Sequence, residues 1–200
     1  MTDRSRIITA ILDESLRVKR AAVEANRDRI LAGAEMLAGC IRAGGKVLLF
    51  GNGGSAADAQ HLAAEFVNRF RIERPPLAAL ALTTDSSVLT SIGNDYHFDE
   101  VFEKQVRALG RKGDVAWGIS TSGNSPNVIK GIDAARAAGL ATIGMTGRGG
   151  RLASGAELAF TVDSATTARI QEAHIAIGHI LCELVDRILF PEEFADETQT

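Results

Sequence analysis

KVLLFGNGGSAADAQHLAAEF, Lys46–Phe66, is the stretch that decides the fold. Four apolar residues follow Lys46 without alternation, the pattern of a strand buried on both faces. The chain then turns through Gly51, Gly53 and Gly54. Beyond the turn, residues 55–70 read as a helix. A short strand passing through glycines straight into a helix is the opening half of a βαβ unit.

Working outward, the same rhythm repeats. Short apolar runs occur at Leu77–Leu82, Asp114–Ser120, Ala141–Met145 and Glu157–Val162, with helical patterns near 97–109 and 125–138. Short strands alternating with helices predict a doubly wound α/β domain with a central parallel sheet and right-handed crossovers. Residues 4–43 read as helix, with Ile8, Ile11, Leu12 and Leu16 at helical spacing and Asn26 marking a break between two helices. Gly44 and Gly45 end that arm. A long helix from about Thr167 to Leu189 closes the core, and the acidic last ten residues predict a frayed tail. The expected organisation is one domain: a helical arm over 1–43, an α/β core over 44–165, a C-terminal helix over 166–190 and a tail over 191–200.

Composition sets the outer bounds. Hydrophobic residues make up 46% and charged residues 24% of the 200, which excludes a disordered or fibrous chain. The 20 glycines are concentrated in the middle: none precedes Gly33, and only Gly178 follows Gly155. A net charge of −3 argues against a general nucleic-acid binder, while leaving room for a local anion site. No apolar run approaches 18 residues, so no membrane span is expected. The charged N-terminus does not read as a secretory signal. Cys40 and Cys182 read as buried thiols rather than a disulfide pair.

Two loops follow strands where an open parallel sheet binds ligands. In GNGGSA, Gly51–Ala56, the glycines allow close backbone approach, and Ser55 is placed to cap the next helix. In STSGNSPN, Ser120–Asn127, the hydroxyls of Ser120, Thr121, Ser122 and Ser125 surround Gly123. Pro126 suits the first turn of a helix capped by Ser125 or Asn124. Hydroxyls at a helix N-terminus make a phosphate cradle that needs no lysine or arginine. TGRGG, Thr146–Gly150, also follows a strand and reads as structural.

Side chains fit for chemistry cluster in three places. His61 and Glu65 share a helix face four residues apart, as a metal pair, an acid/base pair or a plain surface ion pair. Gln171, His174 and His179 lie on the last helix. Gln171 and His179 are separated by about 80° around that helix and about 12 Å along it. They reach one ligand only at full stretch, which suggests packing between subunits near the site. Asn94 and Asp95, after the apolar SSVLTSI, suit sugar hydroxyls or a turn.

Taken in order, these motifs resemble the sugar isomerase (SIS) fold, a three-layer αβα sandwich, and within it the phosphoheptose isomerase family. The resemblance covers nearly the whole chain and rests on Lys46–Phe66, SIGNDYHFDEVF, GDVAWGISTSGNSPNVIKGI and ARIQEAHIAIGHIL. It implies isomerisation of sedoheptulose 7-phosphate to glycero-manno-heptose 7-phosphate through an enediol, on the route to lipopolysaccharide core. It also implies a cytoplasmic homotetramer with one zinc per subunit. By resemblance, Asn52, Gly53, Gly54, Asn94 and Asp95 contact substrate, and Ser120, Thr121, Ser122 and Ser125 hold its phosphate. Glu65 becomes the general base and His179 the acid/base partner. His61, Glu65, Gln171 and His179 become zinc-associated, Gln171 and Glu65 also touch substrate, and His174 is structural. NRFRIERPPLAALALTTD and CELVDRILFPEE resemble, alternatively, a non-catalytic SIS adaptor that binds the bacterial replication initiator. Retention of Glu65, His179, His61 and Gln171 together favours the enzyme.

Overall fold

The structure is a computed structural model that describes residues 3–199. Helices α1 (Asp3–Ala25) and α2 (Arg27–Arg42) precede β1 (Val47–Gly51) and α3 (Gly54–Val67). There follow β2 (Ala79–Ala81), α4 (Ser86–Asp95), a 3-10 turn at Phe98–Glu100, α5 (Val101–Leu109) and β3 (Val115–Ser120). Then come α6 (Pro126–Ala137), β4 (Ala141–Thr146), the short α7 (Arg151–Gly155), β5 (Leu158–Thr161) and α8 (Thr167–Leu189).

The five strands are parallel in the order β2-β1-β3-β4-β5. Alternation along each strand explains the three layers. Val47, Leu49, Val115, Trp117, Ile119, Ile143 and Met145 point to one face and pack with α2, α3 and α8. Leu48, Phe50 and Ala116 point to the other and pack with α5 and α6. Both faces are covered, so the strands read as unbroken apolar runs. Along α8, Ile170, Ala173, Ile177, Leu181 and Val185 form the buried stripe that seats the helix.

The order of the strands positions the site. The chain steps outward from β1 to β2, then returns to the far side of β1 with β3. Gly51 pairs with Ile119 in that register, so the loops leaving β1 and β3 emerge side by side. This is the switch point at which open α/β sheets bind ligands.

Asn26 breaks the N-terminal arm for a definite reason. Its buried amide donates to Ala22 O (2.8 Å) and Thr161 O (2.9 Å), and accepts from Thr161 N (3.2 Å). The side chain therefore pairs with the β5 backbone as another strand would. Asn26→Ala leaves both groups of Thr161 without that partner and is expected to cost about 2 kcal/mol or more. For a chain of this size that lowers the thermal midpoint by about 4–8 °C. An unchanged midpoint in calorimetry would show that water replaces the amide.

Three expectations are corrected. SSVLTSI does not precede a turn: α4 runs through it, capped by Asp85 accepting from Val88 N (3.0 Å), and Gly93–Asp95 form its last turn. The strand expected over Leu77–Leu82 shrinks to Ala79–Ala81, because Leu77 N bonds Phe66 O at the end of α3 instead of a strand neighbour. The acidic tail is not frayed as expected: Pro191–Gln199 forms a 3-10 helix, with Phe194 buried beneath the guanidinium of Arg187. Residue 200 lies outside the described residues. Cys40 and Cys182 are both free and buried, and burial pushes the Cys40 thiol up to about 11.

Candidate active site

The two loops at the switch point are joined by paired amides. Asn52 Nδ2 donates to Asn127 Oδ1 (2.9 Å), and Asn127 Nδ2 donates to Asn52 Oδ1 (2.8 Å). Asn127 is buried and was not singled out in the sequence; only its place at the end of a hydroxyl-rich loop hinted at a role. Helix α3 starts one residue earlier than expected. Gly53 takes the cap position, so Ser55 lies buried in the first turn and caps nothing. Gly54 lies directly against the amide of Gln171, leaving no room there for a Cβ.

In the second loop the serines face one another. Ser120 Oγ lies 2.9 Å from Ser125 Oγ and 3.3 Å from Ser122 Oγ. Ser125 occupies the cap position of α6, but its hydroxyl turns to Ser120 instead of capping the helix. The hydroxyl cluster thus sits at a helix N-terminus whose dipole favours an anion.

TGRGG supports this cradle from behind. Gly123, at φ +67°, faces the Gly149 carbonyl so closely that a Cβ has no space. Gly147 N donates to Thr121 O (3.0 Å), Leu152 N to Gly123 O (2.9 Å) and Arg151 N to Asn124 Oδ1 (3.0 Å). This segment therefore has a structural role, bracing the hydroxyl-rich loop.

His61, Glu65 and His179 are brought together by the packing of α3 on α8. The helices approach where Leu62 fills the space beside Gly178; any Cβ there meets the leucine methyls. Next to that contact, His61 Nε2 lies 2.8 Å from His179 Nε2 and 3.5 Å from Glu65 Oε1. At the shorter distance one imidazole donates to the other. Burial, then the nearby His61, lowers the His179 pKa, while Glu65 opposes them. His179 therefore favours its neutral form, which can both accept and donate a proton. Asp58, three residues before His61 on α3, has a buried Oδ2 without a hydrogen-bond partner, and burial pushes its carboxyl up to about 6. Nothing in the sequence set it apart from an ordinary helical aspartate.

Other expected residues stand apart. Gln171 is beside Gly54, about two helical turns from His179. Asn94 and Asp95 are exposed at the end of α4 and bonded to each other (2.8 Å). Among the described residues, no hydrogen bond or ion pair links them to the loops or to the histidines. His174 is fully buried with Nε2 against Thr146 O (3.0 Å), and burial lowers its pKa to about 4, in keeping with a structural role.

Two imidazole nitrogens and a carboxylate oxygen are a donor set suited to zinc. Among the described residues no three such side chains form a ready metal cage. The two imidazoles are hydrogen-bonded to each other with Glu65 3.5 Å away, and their nitrogens lie closer than the roughly 3.3 Å that a shared tetrahedral zinc requires. The donor types suit the ion, while the ring separation as it stands is that of a hydrogen bond. A cavity of about 610 Å³ between β2, α4 and α5 is walled chiefly by apolar side chains and carries none of these residues.

The SIS domain family matches residues 12–147. A phosphoheptose isomerase of Nitratidesulfovibrio vulgaris is 55% identical over 197 residues, covering 98% of this chain and 95% of its own. The structure of phosphoheptose isomerase from Neisseria gonorrhoeae superposes with a TM-score of 0.86 at 48% identity, covering 92% of this chain and 99% of its own. That of Francisella tularensis gives 0.87 at 37% identity, covering 94% and 100%.

Proposed function

Because the chain belongs to the phosphoheptose isomerase family of SIS-domain proteins, we propose that Glu65 and His179 carry out its isomerase chemistry on sedoheptulose 7-phosphate. The observation that carries this reading is the convergence of Glu65, His61 and His179 across the α3–α8 contact. The ketose bears its carbonyl at C2. Glu65 takes a proton from C1, leaving an enediol, and returns it to C2 to give the aldose. His179 moves the compensating proton between the oxygens of C1 and C2. Ser120, Thr121, Ser122 and Ser125 hold the distant phosphate, which fixes the reacting carbons relative to Glu65. Asn52, Gly53, Gly54 and Gln171 line the path between the two ends, and Asn94 and Asp95 contribute sugar contacts.

His61, Glu65 and His179 would hold a zinc ion, with Gln171 joining through substrate or a shift of its side chain. Bound zinc supplies Lewis acidity that polarises the carbonyl and stabilises negative charge on oxygen. The apolar stripe Ile7, Ile8, Ile11, Leu12 and Leu16 on α1, at 50–69% exposure, supports assembly into a homotetramer. A metabolic role in the cytoplasm, on the route to lipopolysaccharide core, is the setting that fits this substrate. Among the described residues, no helix is long and apolar enough to cross a membrane.

Incubation with sedoheptulose 7-phosphate is expected to yield aldoheptose 7-phosphate. Removing metal with a chelator is expected to lower the rate by roughly 10-fold or more, with recovery on adding zinc. No aldose under metal-replete conditions, together with capture of the replication initiator, would favour the adaptor reading.

A further inference from the structure

Arg74 lies between α3 and β2, and its side chain is almost completely buried. Its guanidinium spans two elements. Nη2 donates to Glu65 O (2.8 Å), Nη1 to Phe66 O (2.9 Å) and Pro75 O (3.2 Å), and Nε to Asp186 Oδ1 of α8 (2.7 Å). The first two acceptors are carbonyls at the C-terminal end of α3, where helices leave such groups without intrahelical partners and favour a cation. The fourth is a carboxylate seven residues beyond His179, hence on the same face of α8 and about 10 Å further along it.

The helices α3 and α8 run side by side in the same direction. Gly54 meets Gln171 at one end, Leu62 meets Gly178 in the middle, and Arg74 bridges Glu65 to Asp186 at the other. His61 and His179 flank the middle contact, and Glu65 lies about one turn further along α3, at the last. We infer that the Arg74–Asp186 pair is a positioning device for the isomerase. It grips the backbone of Glu65 itself and ties it to the helix that carries His179, so it sets the distance between base and acid/base partner. This inference rests on the proposed roles of Glu65 and His179. A planar guanidinium can serve three carbonyls and a carboxylate at once; a lysine ammonium cannot reproduce that fork.

The test uses Arg74→Lys and Asp186→Asn in the full chain. Each is assayed with sedoheptulose 7-phosphate, and the separation of the His61 and His179 rings is measured in crystal structures of the variants. Arg74→Lys is expected to lower kcat by roughly 10–100-fold, with KM within about threefold of wild type. The separation of the His61 and His179 nitrogens is expected to depart from the 2.8 Å of the wild type. Asp186→Asn keeps an acceptor oxygen and leaves the grip on Glu65, so its loss of kcat is expected to be smaller but measurable. Unchanged kcat per mole of folded protein in Arg74→Lys, or an unchanged His61–His179 separation, overturns the inference. A loss in Asp186→Asn as large as that in Arg74→Lys overturns the part assigned to the Glu65 carbonyl. If Arg74→Lys does not fold, Asp186→Asn decides alone, and wild-type kcat there overturns the inference. Wild-type protein that turns over no sedoheptulose 7-phosphate defeats the functional reading instead, while the crystal-structure comparison still decides the positioning claim.

Discussion

Glu65→Gln is expected to lose roughly 10³-fold or more in kcat, with KM for sedoheptulose 7-phosphate within a few-fold of wild type. The substitution is nearly isosteric. The amide still fits beside His61, and the backbone carbonyl held by Arg74 is unaffected. What disappears is a group able to take a proton from carbon. Because the phosphate cradle proposed for Ser120, Ser122 and Ser125 lies in another loop, ground-state binding is expected to persist. Two measurements check this: steady-state kinetics, and exchange of the C1 hydrogen of the sugar with deuterated water. Wild-type-like turnover would sink the base assignment. Loss of turnover with full retention of C1 exchange would move the base role to another residue.

Gly123→Ala is expected to damage binding more than chemistry. At φ +67° any L side chain is strained, and here the Cβ is also driven into the Gly149 carbonyl. Relief requires the two loops to separate, breaking the bonds from Leu152 N to Gly123 O and from Arg151 N to Asn124 Oδ1. The strain and lost bonds together are expected to cost about 3 kcal/mol of stability. KM should rise by roughly 100-fold as the serine hydroxyls lose their common focus. Binding of the sugar phosphate by calorimetry is the direct measurement, and a wild-type KM would show that the cradle does not depend on this contact.

The contrast between these variants shows what could be read in advance. Gly123 was visible as part of a hydroxyl-rich loop after a strand. That it sits against TGRGG was not, because residues 123 and 149 meet only when β3 and β4 pair. Asn127 and Arg74 escaped notice for the same reason. Each is an ordinary polar residue in sequence, and its partners come from elements far along the chain. Asn94 and Asp95 illustrate the opposite case, since motif resemblance assigns them to substrate although the fold leaves them exposed at the end of α4.

By itself the sequence determined the succession of elements, the parallel sheet and the loops that reach the ligand crevice. Those features follow from local periodicity and from glycine positions, which need no knowledge of distant partners. It also supplied His61, Glu65 and His179 as chemically able groups. Only the tertiary structure decided that they meet, because their juxtaposition depends on α3 and α8 packing together at Leu62 and Gly178. The sequence already placed Gln171 and His179 about 12 Å apart along one helix, able to reach one ligand only at full stretch. The fold adds that Gln171 lies against Gly54 while His179 meets His61.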